Sequence, residues 1–369
     1  MAVEETNISS IMKIDEEKQK LLIGYMIKKL NKIFPIDDNN RLMVIFFLIS
    51  GLDLINSLDE LSDERKCEII DSIYEHQLHP KNDSDLNAGK FGFTCHRSAV
   101  GRSEYKYDYC NISLTYCALT SLIILGDTLD RVNRQAIIRG IRLHQQKDGR
   151  FVQSLIEEES DIRVIYCAAA ICYILQDWSS INRDTMIDHI KSCQSYENAF
   201  GQTIDAEAHA GSTYCAIASL KLMDQLNEVY DQRKRQTIVE WCLNRQVSGF
   251  QGRPQKDPDT CYSFWVGASL TMLNSFQFID DQLHSEFLST TFDNDTGGFG
   301  KFPDTSPDVL HTYFGLAALS LRVLNQISTE IYVQSIYPAL NISQRAYKHL
   351  CSIHTKWNTL LSNEKLENL

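Results

Sequence analysis

Residues 250–265 read FQGRPQKDPDTCYSFW and gather two cations (Arg253, Lys256), two acids (Asp257, Asp259), a cysteine (Cys261) and, besides two phenylalanines, the aromatics Tyr262 and Trp265. Gly252, Pro254 and Pro258 make the first half a loop, whereas YSFWVGASLTML after Cys261 reads as a buried helix. A carboxylate and a thiolate two residues apart at such a junction suit a metal ion. The basic residues just upstream suit an anion beside it. Whether this is chemistry depends on what the rest of the chain brings to the same place.

The elements that would position these groups are periodic. An aromatic residue opens an apolar, small-residue-rich run at Tyr116, Tyr166, Tyr214, Phe264 and Tyr313, at intervals of 50, 48, 50 and 49 residues. An earlier copy starts at Phe46, which makes six. Between copies lies a more amphipathic stretch, then a glutamine and a glycine-containing turn closing on Phe151, Phe200, Phe250 or Phe299. The first equivalent, near Phe93, carries an inserted loop. Such a period describes helical hairpins that cannot bury their apolar faces alone. The first helix of each pair is apolar nearly all round and belongs inside; the second fits an outer layer. The expected fold is all-α, an α/α barrel of about six inner and six outer helices, with an open solenoid as the alternative. Glycines fit the helix exits and tight turns. A polar segment (1–20) precedes a single barrel domain (21–345), and a polar tail (346–369) follows. The run LLIGYMIKKLNKIF carries a basic face that reads as solvated or partner-facing.

In a closed ring, the residues preceding each inner helix share one rim. They are Asp161 and Arg163, His209, then Asp259, Cys261 and Tyr262, then His311. They would surround a cavity lined by Tyr166, Tyr214, Phe264, Trp265 and Tyr313, and an apolar hole with a polar rim is the usual form of a ligand site. Asp259, Cys261 and His311 offer carboxylate, thiolate and imidazole from adjacent repeats. Three ligands of mixed type leave one position open, the pattern of a catalytic rather than a structural zinc. A helix-capping Asp and a buried Cys are the alternative. His209, Arg253, Lys256 and Tyr262 offer charge and donors to an anion about the size of a diphosphate. Arg163 either pairs with Asp161 or holds a substrate carboxylate.

Composition narrows the function classes. A formal charge of −12 argues against nucleic-acid binding, which needs a basic stripe. The N-terminus has no apolar signal region, and no apolar run reaches the roughly 18 residues of a membrane span. Most of the 11 cysteines sit inside apolar helical patterns, which fits free thiols in a reducing cytoplasm. Asn-x-Ser matches such as Asn111 and Asn341 are then chance.

The chain resembles the β subunits of protein prenyltransferases. The motifs are DIRVIYCA (161–168), EAHAGSTYC (207–215), FQGRPQKDPDTCYSFW (250–265) and GGFGKFPDTSPDVLHTYFGL (297–316), and the likeness runs from about residue 20 to 330. It implies an α/α barrel in which Asp259, Cys261 and His311 bind one zinc ion. It also implies a diphosphate site at His209, Arg253, Lys256 and Tyr262, a peptide-site arginine at Arg163, and isoprenoid-lining aromatics at Tyr166 and Trp265. Within the family the chain is most similar to type I geranylgeranyltransferases, through SGLDLINSLD (50–59), CYSFWVGASL and PDVLHTYFGL.

Two departures from the farnesyl relatives support that likeness. Lys301 stands where they carry an aspartate tied to magnesium use, so the resemblance implies that magnesium is not required. Met43 stands where they narrow the pocket with tryptophan, and Met43, Phe47 and Leu310 would shape the pocket for a final leucine. The implied reaction is transfer of a geranylgeranyl group from geranylgeranyl diphosphate to the cysteine of a C-terminal CaaX motif, as on Rho-type small GTPases. The implied partner is a prenyltransferase α subunit. Rab-type geranylgeranyltransferase and farnesyltransferase β subunits are the alternatives within the family. A terpene cyclase would be expected to carry an Asp-rich acid motif, and a glycoside hydrolase paired carboxylates without a zinc cysteine. In a helical-repeat scaffold the rim residues would be incidental.

Overall fold

The computed structural model describes residues 12–33, 39–80, 91–95, 109–156, 159–329 and 331–367, with side chains to 360. Much of the loop expected near Phe93, and 1–11 of the polar N-terminal segment, lie outside the described residues. Six helices are buried on nearly every side: α2 (Arg41–Leu54), α4 (Ile112–Ile124), α6 (Ile162–Ile174), α8 (Ala210–Leu222), α11 (Thr260–Met272) and α13 (Val309–Leu324). Each packs against the next in that order, and α13 returns to α2. The ring is closed, so the barrel is the architecture and the open solenoid is not. The connecting helices α3 (Asp63–Tyr74), α5 (Arg134–His144), α7 (Arg183–Ser192), α10 (Gln232–Leu243) and α12 (Asp281–Thr291) alternate with them along the chain, after a short α9 (Leu226–Val229) in one connection. Each buries one face and exposes the other, as an outer layer requires. The amphipathic run near the N-terminus is α1 (Glu16–Ile33), which buries Leu22, Tyr25, Met26 and Leu30 and packs on α2 as the sixth outer helix.

The repeated turn residues have defined tasks. Gln77, Gln145 and Gln246 each use one side-chain amide to bond an N–H and a carbonyl of the turn that starts the next outer helix; Gln77 accepts from Asn133 N at 2.9 Å and donates to Arg131 O at 3.1 Å. Gln145, for example, accepts from Asn182 N at 2.7 Å and donates to Asn182 O at 2.7 Å. Gln246 does the same at Asp280, at 2.9 and 2.7 Å. The turn phenylalanines Phe93, Phe151, Phe200, Phe250 and Phe299 are fully buried. The inner-helix exits differ from expectation. Each has a residue at positive φ, but only Gly126 is a glycine; Asn56, Gln176, Asp224, Asn274 and Gln326 fill the others. Asn and Asp tolerate this conformation better than most residues, and none of the five is β-branched.

The end of the chain is more ordered than a polar tail. A two-stranded hairpin, β1 (Ile336–Tyr337) and β2 (Ile342–Ser343), leads into α14 (Gln344–Glu367). This helix buries Ala346, Leu350, Ile353 and Trp357, and the Arg134 guanidinium lies 3.6 Å from the centre of the Trp357 ring. Asn341, read as a chance glycosylation match, is 3% exposed. Because Trp357 closes one end of the core, Trp357→Ala is expected to cost about 3 kcal/mol. A denaturant midpoint unchanged from wild type would show that α14 adds nothing to the barrel.

Candidate metal centre and anion rim

Every inner helix begins at the same end of the barrel, and five of the six carry an N-cap side chain that bonds the first turn at that rim; Asn40 before α2 makes no such bond. The caps are Asn111, Asp161, His209, Asp259 and Asp308, each accepting from a backbone N–H of the first turn. The first N–H of α8 and of α11 reaches the neighbouring rim loop, at Gly252 O (2.8 Å) and Lys301 O (3.1 Å). Neighbouring repeats are thereby locked in register where the chemistry would occur.

Asp259, Cys261 and His311 converge, with one potential ligand atom from each lying within 4.8 Å of the others. Asp259 Oδ1 accepts from Cys261 N at 2.9 Å and lies 3.3 Å from His311 Nε2. Lys301 Nζ stands 3.7 Å from Asp259 Oδ2. Capping and ligation are therefore not alternatives for Asp259, since one carboxylate occupies both positions. His311 sits one turn inside α13 rather than before it. The cap there is Asp308, which uses Oδ1 to accept from His311 N at 2.9 Å and Oδ2 to hold His311 Nδ1 at 2.5 Å. With Nδ1 held by a carboxylate, Nε2 faces Asp259 with its ring orientation fixed. Asp308 was not singled out from sequence, although an acid three residues before a histidine at a helix start was the available signal.

The electrostatics follow from burial and pairing. Burial opposes charge on the His311 ring, but the Asp259 and Asp308 carboxylates outweigh it and push the pKa up to about 9. Burial opposes charge on Asp259 as well, and its bonds to His311 and Cys261 hold it below the ordinary carboxylate value. Burial and the neighbouring Asp259 push the Cys261 thiol well up, so this sulfur needs a cation before it ionises readily. The donor set fits a zinc-type ion: oxygen, sulfur and nitrogen ligands, one position open, and an outer carboxylate on the histidine.

Beside this trio lies the anion rim. His209 Nδ1 accepts from Gly211 N at 3.1 Å, so the proton of the neutral ring is on Nε2, 3.0 Å from Tyr262 Oη. Burial, then Arg253 and Arg163, lower its pKa and keep it neutral. Tyr262 packs on Gly252, where an added Cβ would come 2.2 Å from Tyr262 Cζ. Arg253 bonds Glu207 at 2.8 Å, and Lys256 is exposed. Arg163 pairs with Asp161 at 2.5 Å. Phe47 is buried, while Met43, Leu310 and Trp265 are half-buried against the core.

Inward of the rim runs an unbroken aromatic belt. It passes from Phe46 to Tyr116 (5.7 Å between ring centres), Tyr166 (5.5 Å), Tyr214 (5.3 Å), Trp265 (4.8 Å), Phe314 (4.3 Å), Tyr313 (5.3 Å) and back to Phe46 (5.6 Å). All six inner helices contribute to it. Among the described residues, no helix is long and apolar enough to cross a membrane, and the 11 cysteines are free.

The sequence model of the prenyltransferase alpha-alpha toroid domain matches residues 14–342. A Dictyostelium discoideum geranylgeranyl transferase type-1 subunit beta is 40% identical over 347 residues, covering 90% of this chain and 96% of the relative. The Arabidopsis thaliana subunit of the same description is 34% identical over 321 residues, covering 83% of this chain and 84% of the relative. Among solved structures, the Candida albicans protein geranylgeranyltransferase-I complexed with GGPP aligns with a TM-score of 0.78 at 28% identity, over 90% of this chain and 98% of that one.

A protonated His311 stabilises the metal-free fold, because its folded pKa of about 9 lies above the unfolded value of 6.5. That stabilisation is complete below pH 6.5 and disappears as pH rises through 9. Asp308→Asn is expected to flatten this pH dependence and to weaken metal binding roughly 10–100-fold. Unaltered metal affinity in competition with a chelator would show that Asp308 only caps its helix.

Proposed function

The chain belongs to the prenyltransferase alpha-alpha toroid family, and on that premise we infer that it is the β subunit of a type I protein geranylgeranyltransferase. The observation that carries this reading is the meeting of Asp259, Cys261 and His311 at the mouth of an aromatic barrel. The reaction forms a thioether between a substrate cysteine sulfur and C1 of geranylgeranyl diphosphate. The C1–O bond breaks, diphosphate leaves with the bonding electrons, and the thiol proton passes to solvent. The acceptor is the cysteine of a CaaX sequence, preferably ending in leucine, on small GTPases of the Rho type.

Asp259, Cys261 and His311 would hold one zinc ion, and a bound zinc supplies the cation that keeps a substrate thiol ionised near neutral pH. The remaining work belongs to side chains of this chain. His209 Nε2–H, Tyr262 O–H, Arg253 and Lys256 surround the anion rim and donate to the leaving diphosphate. Lys301, half-exposed next to Asp259, adds a positive charge where the leaving oxygens gain negative charge, which makes a magnesium ion unnecessary. The belt receives the isoprenoid tail through Tyr166 and Trp265; Met43, Phe47 and Leu310 shape the space for the peptide end, and Arg163 stands at the peptide entrance. A partner α subunit completes the site. Exposed apolar side chains in the rim-side turns (Ile156 55%, Tyr196 92%, Ile204 48%, Val247 52% exposed) give such a partner a surface to cover. A reaction on cytoplasmic substrates supports a cytoplasmic location, and the proposed catalytic domain is residues 21–345.

Co-expression with an α subunit, followed by transfer assays on peptides ending in Leu, Met or double Cys, tests the reading. Geranylgeranylation of the Leu peptide is expected; farnesyl transfer to the Met peptide, or use of the double-Cys peptide, would place the chain in another branch. No transfer by a folded, zinc-loaded heterodimer would remove the function itself. In the same assay Cys261→Ala is expected to lose both zinc and turnover while keeping its helical content, and full activity without zinc would refute the metal role. Lys301→Asp is expected to lower the rate and make it rise with added magnesium; a rate flat across a magnesium titration counts against Lys301 as the charge at the diphosphate.

A further inference from the structure

Between two of the metal-site side chains stands a hydroxyl that the proposed chemistry leaves unused. Thr260 is the first residue of α11, flanked by Asp259 and Cys261, and it is fully buried. Its position recurs around the ring, and the backbone there bonds the rim loop of the next repeat. Ile112 N donates to Gln153 O at 3.1 Å, Ile162 N to Gln202 O at 3.0 Å, Ala210 N to Gly252 O at 2.8 Å and Thr260 N to Lys301 O at 3.1 Å. Registering the repeats therefore needs only the backbone, since Ile112, Ile162 and Ala210 do it with apolar side chains. Thr260 adds a second bond. Its Oγ1 donates to Gly300 O at 2.7 Å and lies 3.4 Å from Lys301 O.

The two carbonyls held by Thr260 flank a single Cα. Gly300 C=O lies in the peptide plane that precedes Lys301 Cα, and Lys301 C=O in the plane that follows it. Peptide units are planar, so holding both planes constrains φ and ψ at Lys301 and with them the direction of its side chain. Gly300 is buried, whereas Lys301 and residues 303–306 are exposed, so Lys301 sits where a buried stem opens into a surface turn. That turn closes on itself: Thr305 Oγ1 accepts from Phe302 N at 3.1 Å and donates to Phe302 O at 2.7 Å. Removing the Thr260 hydroxyl takes a donor from a buried carbonyl, and the peptide plane must turn to replace it. The Lys301 ammonium, 3.7 Å from Asp259 Oδ2, would swing with that plane.

We propose that Thr260 is a positioning residue for Lys301, and that its hydroxyl aims the ammonium at the departing diphosphate. This rests on the reading of the chain as a prenyltransferase subunit and of Lys301 as the charge beside the diphosphate. It separates the task of Thr260 from that of Asp259 and Cys261, which face the metal.

The test uses the full chain in its zinc-loaded heterodimer, with geranylgeranyl diphosphate and a CaaX peptide ending in leucine. Thr260→Val keeps the shape and removes the hydroxyl. It is expected to lower kcat roughly 10- to 100-fold, the scale on which misplacing a group by about 1 Å acts, with KM for the CaaX peptide unchanged. Thr260→Ser, which keeps the hydroxyl, is expected to retain the wild-type rate. In a Lys301→Ala background Thr260→Val is expected to add no further loss, because the group it positions is gone. Cobalt in place of zinc reads the metal site without turnover, and its absorption bands are expected to be the same in Thr260→Val and wild type. Thr260→Ala serves if Thr260→Val does not fold, since Ala210 fills the same position one repeat earlier. An undiminished kcat in a folded variant, an equal loss with serine, a full further loss in the Lys301→Ala background, or shifted cobalt bands overturns the proposal. A wild-type heterodimer that transfers no isoprenoid, or a Lys301→Ala variant as fast as wild type, would instead overturn the reading on which it rests.

Discussion

The start of a helix leaves backbone N–H groups without partners, and in this barrel the side chains that satisfy them also stand at the functional rim. Six parallel inner helices place six such starts on one circle, and at five of them a side chain closes the first turn. A short polar side chain capping the first turn is thus fixed twice, by its helix and by its repeat. Asp259 shows the consequence: the bond from Cys261 N fixes the carboxylate, and the same oxygen faces His311. Asp308 repeats the device one helix later and extends it to the imidazole of His311. At His209 the cap decides the tautomer, because a ring nitrogen that accepts from Gly211 N cannot also carry the proton. Folding therefore sets the orientation of these groups before any ligand arrives, which is what preorganised electrostatic chemistry requires.

The barrel interior solves a different problem. A chamber for an apolar tail must remain apolar although its walls are rich in tyrosine. Tyr166 and Tyr214 hydroxyls are within 3.1 Å of one another, Tyr166 reaches Tyr116 at 3.4 Å, and the chain of phenols ends on hairpin carbonyls. Each polar end is thereby occupied. What remains for a ligand are ring faces and edges, which bury large apolar area with few rotamers to restrict.

The closed barrel and the metal trio were legible in the sequence because both depend on periodicity. A spacing near fifty residues makes Asp259, Cys261 and His311 neighbours once the ring closes, whatever the intervening loops do. Features without a period were not legible. Glu207 acts through one contact, to Arg253, and a single contact leaves little trace in residue order; the cap position of Asp308 follows the repeat, but its second bond, to His311 Nδ1, does not. The helix exits misled in detail, since the conformation was anticipated but Asn, Gln and Asp adopt it at most of them. The polar composition of residues 346–369 concealed a helix whose buried side chains, among the described residues, are Ala346, Leu350, Ile353 and Trp357. That narrow stripe suffices because α14 lies across the end of a core that already exists.

The rim also explains how an acidic chain can attract an acidic ligand. With a formal charge of −12, the long-range field opposes anions, so attraction must be local. Yet three of the rim cations already have carboxylate neighbours: Arg163 with Asp161, Arg253 with Glu207 and Lys301 with Asp259. Such pairs keep the side chains extended toward the rim and avoid leaving isolated charges there. On the proposed function, a diphosphate, with more acceptor oxygens than a carboxylate and a larger charge, would compete for Arg253 and Lys301 without first ordering them. An anion of single charge gains little from the same exchange, because what it offers the guanidinium is what Glu207 already provides. On that reading, pairing before binding is a filter on charge as well as a scaffold, and it would select the multiply charged end of the donor over the carboxylates that crowd any protein surface.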